Sequence, residues 1–123
     1  MVEGEQTVAT TVRVPVGGLA VAAPGPTAVT VREITIEPGG STGWHAHPGV
    51  LLAVVQAGTL TRQLADCSEV TTPVGQAFVE PAGGPHVHVG RNLGAEPVVL
   101  YVASVLPAGS PLSVEAPDPG CGR

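Results

Sequence analysis

The chain has 123 residues, of which 43% are apolar and 12% charged; that much apolar surface must be buried, despite 17 Gly and 13 Pro. The length suits a single domain, residues 1–123, around one core. A net charge of −5, with five Arg and no Lys, leaves no basic patch for phosphates, which excludes nucleic acid and an anionic membrane surface as partners.

The acidic start, Met1 to Gln6, carries no apolar signal stretch, and no apolar run exceeds the six residues of Val50 to Val55, too short to span a bilayer. The expected location is therefore cytoplasmic. Residues 7–16 (TVATTVRVPV) read as a first strand, and 17–27 as a loop rich in Gly, Ala and Pro. Residues 28–36 alternate clearly, with Val29, Val31, Glu33 and Thr35 on one face and Thr30, Arg32, Ile34 and Ile36 on the other. Further short strands are predicted over 43–47, 50–57, 59–65, 70–72, 77–80, 86–91 and 98–106, separated by Gly, Pro, Asp and Asn turns. The tail, residues 107–123, has four Pro and three Gly and is expected to wrap the surface. No helix of ten residues or more is predicted.

The composition agrees. There are 21 Val, 11 Thr and 2 Ile against 9 Leu, and stiff β-branched side chains favour strands. With only Trp44, Phe78 and Tyr101 as aromatics, small aliphatics must fill the core. Short, evenly spaced strands predict an all-β closed barrel or two-sheet jelly roll, whose small inward residues leave a cavity. Two cysteines are too few for a disulfide scaffold. Cys67 and Cys121 are either unrelated free thiols or a disulfide that pins the tail to the Asp66–Ser68 turn.

All four histidines fall in two matched pairs, His45-Ala-His47 and His86-Val-His88. Residues i and i+2 of a strand share a face, so each pair projects together, and two such strands side by side bring three or four imidazoles to one point. A lone His-x-His is more often a satisfied or surface pair. Two pairs that use every histidine of the chain point to a metal, and neutral imidazole suits several first-row ions.

The segment Gly39-(x5)-His45-x-His47-(x3)-Leu51-(x6)-Gly58 resembles the first motif of the cupins. Residues 75–92, Gly75-(x5)-Pro81-x-Gly83 followed by histidine and Asn92, resemble the second. The resemblance implies a double-stranded β-helix, usually a homodimer, with one divalent transition metal inside (Fe, Ni, Cu, Zn, Co or Mn). A small barrel with few charges also has apolar outer surface for a partner copy to cover. The ligands implied are His45, His47 and the motif-two histidine.

Two departures stand out. Leu51 occupies the position of the family's acidic ligand, so the site resembles the three-histidine cupins, which include dioxygenases. Motif two carries two extra residues: counting from Pro81 the ligand is His86, and counting back from Asn92 it is His88. The second count is preferred, because the Pro81–Pro85 loop absorbs insertions whereas the distance to the hairpin turn fixes depth. His86, on the same face one layer nearer the mouth, then serves as a fourth ligand, a partner to a ligand, or a proton shuttle in catalysis. Trp44 should face away from the metal, and Leu51, Ala53 and Val55 toward the cavity. Glu80 reads most simply as an exposed strand-end carboxylate, with a role in the pocket as the less favoured alternative. Arg62, Gln63 and Arg91 either hold an anionic substrate or are solvated. Three functions are compatible with these residues: a metal-dependent dioxygenase on a small organic substrate, a non-catalytic barrel binding a small ligand or metal, and a barrel with an abandoned site.

Overall fold

The computed structural model describes Val8, Ala9 and residues 11–122. The acidic start and Thr7 and Thr10 of the expected first strand lie outside the described residues. Among the described residues, nine strands form two antiparallel sheets. In the first, β1 (Thr27–Ile36) pairs with β8 (Val98–Pro107), which pairs with β3 (Val50–Ala57), and β6 (Ala77–Glu80) closes the order β1-β8-β3-β6. In the second, β5 (Glu69–Pro73), β4 (Thr59–Leu64), β7 (His88–Arg91), β2 (His45–Ala46) and β9 (Val114–Glu115) lie side by side in that order. The arrangement is the predicted double-stranded β-helix. Among the described residues the sole helical element is a 3₁₀ turn at Gly84–His86, and no helix is long and apolar enough to cross a membrane.

The core lies between the sheets. Alternation along β3 and β8 sends Leu51, Ala53, Val55, Val98, Leu100 and Val102 inward, where they meet Ile36 and Leu60, with Ile34 and Phe78 packed against them. Gly58 makes the β3–β4 turn at φ +73°, and a Cβ there would stand 2.5 Å from the Pro97 carbonyl oxygen. Glycine is required on both counts.

Three predicted elements change. The first strand over 7–16 does not form among the described residues; Val8 and Val12 are exposed, and β1 is an edge that pairs with β8 alone. Strand propensity without a partner makes no ladder. The segment 43–47 contracts to His45–Ala46, and 86–91 begins only at His88, because Pro85 draws the preceding residues into the 3₁₀ turn. Of the two readings of the cysteines, the disulfide holds and the free thiols do not: Cys67 is bonded to Cys121, with Cα atoms 5.2 Å apart. The tail is therefore fastened at one end to the β4–β5 turn and adds β9 beside β2.

Candidate metal centre

Strand register brings the histidines together. His45 and His88 are direct partners across β2 and β7. β7 runs against β4 without a shift from Leu64↔His88 to Thr61↔Arg91, so no bulge at Gly90 disturbs it. His88 therefore points inward on the same face as Arg62, whose partner Gly90 has no side chain and leaves the space between them open. Asn92, which closes motif two, is buried and donates from Nδ2 to the carbonyls of Ile36 (2.9 Å) and Glu96 (2.7 Å), fixing the turn that follows.

Each of the three imidazoles is held by its Nδ1 on a backbone carbonyl: His45 on Gly43 at 2.8 Å, His47 on Leu112 at 2.9 Å, and His88 on His86 at 2.9 Å. A carbonyl only accepts, so Nδ1 carries the proton in all three, and in the neutral ring Nε2 presents a lone pair. The ligand atoms of His45, His47 and His88 lie within 4.8 Å of one another. Burial is the largest influence on His45 and His47 and lowers their pKa below the ordinary value, against the opposing pull of their backbone hydrogen bonds. Both are thus kept in the neutral form that binds metals.

The buried Nε2 atoms of His47 and His88 have no hydrogen-bond partner. Buried polar atoms are rarely left so, and three converging lone pairs repel one another unless something positive lies between them. The donor set fits a divalent first-row ion, with all three Nδ1 protons anchored as metal-ligating histidines require.

The fourth histidine does not join them. His86 ends the exposed 3₁₀ turn outside the three-histidine group and contributes its carbonyl oxygen to His88 instead. The expected shared face fails because residues 84–86 are not strand, so the i, i+2 rule does not apply. Trp44 also departs from expectation and lines the cavity. Leu51 and Ala53 line the cavity as their parity predicts, while Val55 belongs to the closed core. Gln63 accepts a 2.8 Å hydrogen bond from Arg91 Nη1, and neither lines the cavity.

Glu80 is the largest correction. It is 7% exposed, not a solvated strand end. Its Oε2 lies 2.8 Å from His88 Nε2 and 3.6 Å from Arg62 Nη1, and its Oε1 lies 3.7 Å from His47 Nε2. Burial pushes its carboxyl up, but contact with His88 and the charge of Arg62 outweigh that and hold it below the usual carboxylate range. Arg62 is itself fixed, its guanidinium carbon 3.7 Å from the centre of the Phe78 ring. The signal for Glu80 lay in the pairing of β3 with β6, which sets it directly across from Leu51. Arg32, also unforeseen, lines the cavity with a buried Nε that lacks a partner.

The cavity above the histidines has a volume of about 530 Å³. Ile34, Leu51, Phe78, Leu100 and Val102 give it apolar walls, and Arg32, Arg62 and Glu80 are its charged lining from the sheets' interior. Ser113, Glu115 and Ala116 of the tail form part of the rim. Such a space suits a small molecule.

Two sheets closed around a buried histidine cluster and a cavity define a β-barrel with a candidate metal centre. The chain belongs to the cupin family: the Cupin domain model matches residues 32–104. Among solved structures it is similar to the DMSP lyase DddQ from Ruegeria pomeroyi DSS-3, with a TM-score of 0.63 and 17% identity over 75% of this chain and 45% of that one. It is similar to an uncharacterized conserved protein with a double-stranded β-helix domain from Klebsiella pneumoniae, with a TM-score of 0.60 and 20% identity over 78% and 90% of the two chains. The polyketide cyclase RemF from Streptomyces resistomycificus gives 0.60 and 20% over 78% and 67%. The chain thus spans less than half of the lyase, and these likenesses concern the fold. No curated protein matches the chain in sequence.

Proposed function

We propose that residues 1–123 act as one cupin domain that holds a single divalent transition metal on His45, His47 and His88 and acts on a small organic molecule, as an oxidoreductase of the dioxygenase type. The observation that carries this reading is the pair of buried, unpartnered Nε2 atoms of His47 and His88 beside His45 at the cavity wall. A bound metal supplies Lewis acidity or, as iron, redox chemistry with O2. The chain's own part is to keep His45 and His47 neutral by burial, to orient all three imidazoles through the carbonyls of Gly43, Leu112 and His86, and to wall the cavity with apolar groups such as Leu51 and Phe78. Solved neighbours named as a DMSP lyase and a polyketide cyclase support a small organic substrate.

Metal analysis of protein purified without an affinity tag, followed by an oxygen-uptake screen, tests the proposal. About one equivalent of metal per chain with substrate-dependent oxygen uptake is expected. A chain that takes up none of Fe, Ni, Cu, Zn, Co or Mn overturns it. Metal without turnover favours the second reading, a non-catalytic ligand-binding cupin; the place of His86 on an exposed turn, outside the three-histidine group, speaks for that reading. The disulfide favours an oxidising compartment over the cytoplasm expected from the acidic start.

We also propose a homodimer formed through the outer face of the first sheet. Val29 and Val31 are 69% and 73% exposed there, and Tyr101 lies beside them on β8. Light scattering should give twice the 12.2 kDa chain mass, and Val31→Glu should halve it by placing a charge in the contact. A native particle of one chain mass across micromolar concentrations refutes the dimer.

A further inference from the structure

The first cupin motif lacks its carboxylate at Leu51, yet a carboxylate stands in the site. Leu51 on β3 and Glu80 on β6 are directly opposed in an antiparallel register, so their side chains leave the same face of the sheet. Opposed residues have Cβ atoms about 4.5–5.5 Å apart. A glutamate at position 80 can thus reach the space that a glutamate at position 51 would fill.

We propose that Glu80 is the fourth protein ligand of the metal, supplying from the neighbouring strand the acidic arm that position 51 does not. This rests on the three-histidine reading and adds a residue to it. Three observations support it. First, two ligands each about 2.1 Å from one ion lie roughly 3.0–3.4 Å apart, for angles between 90° and tetrahedral. Glu80 Oε2 stands 2.8 Å from His88 Nε2 and its Oε1 stands 3.7 Å from His47 Nε2, one a little shorter and one a little longer than that range, so the two oxygens of one carboxylate face both nitrogens. Second, a carboxylate oxygen stands 2.8 Å from His88 Nε2 although the ring proton is committed at Nδ1 to the His86 carbonyl, so Nε2 is left without a partner. A carboxylate oxygen facing a neutral ring nitrogen at that distance is repulsive unless a proton or a cation lies between them. One proton could serve His88, but His47 Nε2 would remain orphaned; one ion serves both nitrogens and the carboxylate together. Third, the carboxylate is more than nine-tenths buried and tethered by Arg62, which is packed on Phe78. Its position is built, not a surface accident.

The consequence is electrostatic. Three neutral imidazoles would leave the full 2+ charge of the ion in a buried site, whereas Glu80 reduces it to 1+. A carboxylate ligand also widens the range of metals toward harder ions such as Mn(II).

The test is competition titration of Co(II) into the metal-free, tag-free full chain and its Glu80→Gln variant. Glutamine keeps the size and removes the charge. Loss of a group that only supports a ligand lowers affinity about 10–100-fold. The proposal requires a fall greater than 100-fold and a changed Co(II) visible absorption band. It also requires that adding Leu51→Glu to Glu80→Gln recovers most of the affinity, since that places a carboxylate across the same strand pair. This rescue keeps the test informative if Glu80→Gln folds poorly. Native uptake of Co(II) with Glu80→Gln within 100-fold and an unchanged band overturns the Glu80 assignment and spares the histidine site. Absence of Co(II) uptake by the native chain overturns both.

Discussion

His88→Ala should abolish stoichiometric binding of a divalent metal, while His86→Ala should leave affinity within about tenfold of native. The two histidines sit two residues apart and differ completely in position. His88 is buried, faces His45 across β2 and β7, and presents an Nε2 with no hydrogen-bond partner. Its removal takes away a metal–nitrogen bond and should exceed the roughly 100-fold loss that follows removal of a supporting group. The exposed imidazole of His86 takes no part in the cluster, but its carbonyl oxygen accepts from His88 Nδ1 at 2.9 Å. Alanine retains that carbonyl, so the orientation of His88 survives. Competition titration of both variants decides the point. If His86→Ala loses metal and His88→Ala keeps it, the register of β7 is not the one that positions the site.

Why was His88 legible in the sequence and Glu80 not? The i, i+2 rule and the count back from Asn92 depend on one strand and its turn, and both are local. β7 is regular from His88 to Arg91, so the local rule holds, and it fails for His86 because that residue belongs to the 3₁₀ turn Gly84–His86 that contains Pro85. The placement of Glu80 depends on which strand lies beside β3 and in what register. A pattern read along one strand cannot supply that; Glu80 next to Pro81 looks like a solvated strand end. Leu112 is a sharper case. It orients His47 through its backbone carbonyl, and a carbonyl leaves no mark in residue type. The strands 50–57 and 77–80 were fully legible because alternation and turn residues agree there. The described residues of the segment 7–16 show the converse, for strand propensity yields nothing where no neighbour offers a ladder.

Reduction of the Cys67–Cys121 disulfide should both destabilise the chain and loosen its metal site. The bond closes a loop of 54 residues, for which chain entropy alone gives about 4 kcal/mol and measured values commonly run about 2–4 kcal/mol. For a domain of this size that corresponds to a fall in melting temperature of roughly 6–15 °C. The effect on the site follows from what the tail carries. Between Pro107 and Cys121 it provides the Leu112 carbonyl that holds His47 Nδ1, the β9 strand that pairs Glu115 with His45, and the hydrogen bond from Ala116 N to the Trp44 carbonyl. β9 is two exposed residues long, so it is weakly held by itself. Freed at Cys121, the tail should fray, and His47 should lose the anchor that fixes its tautomer and direction. A 10–100-fold fall in metal affinity is then expected, the scale of losing a ligand's hydrogen-bond partner. Thermal melts and Co(II) titrations of the native chain, the reduced chain and Cys121→Ser measure both effects. A lower melting temperature with unchanged affinity would mean that β9 and Leu112 hold His47 without the disulfide. If affinity does fall, linkage demands the reverse effect: bound metal must shift the thiol–disulfide equilibrium toward the disulfide by the same factor, so the loaded protein should need a correspondingly stronger reductant to open it.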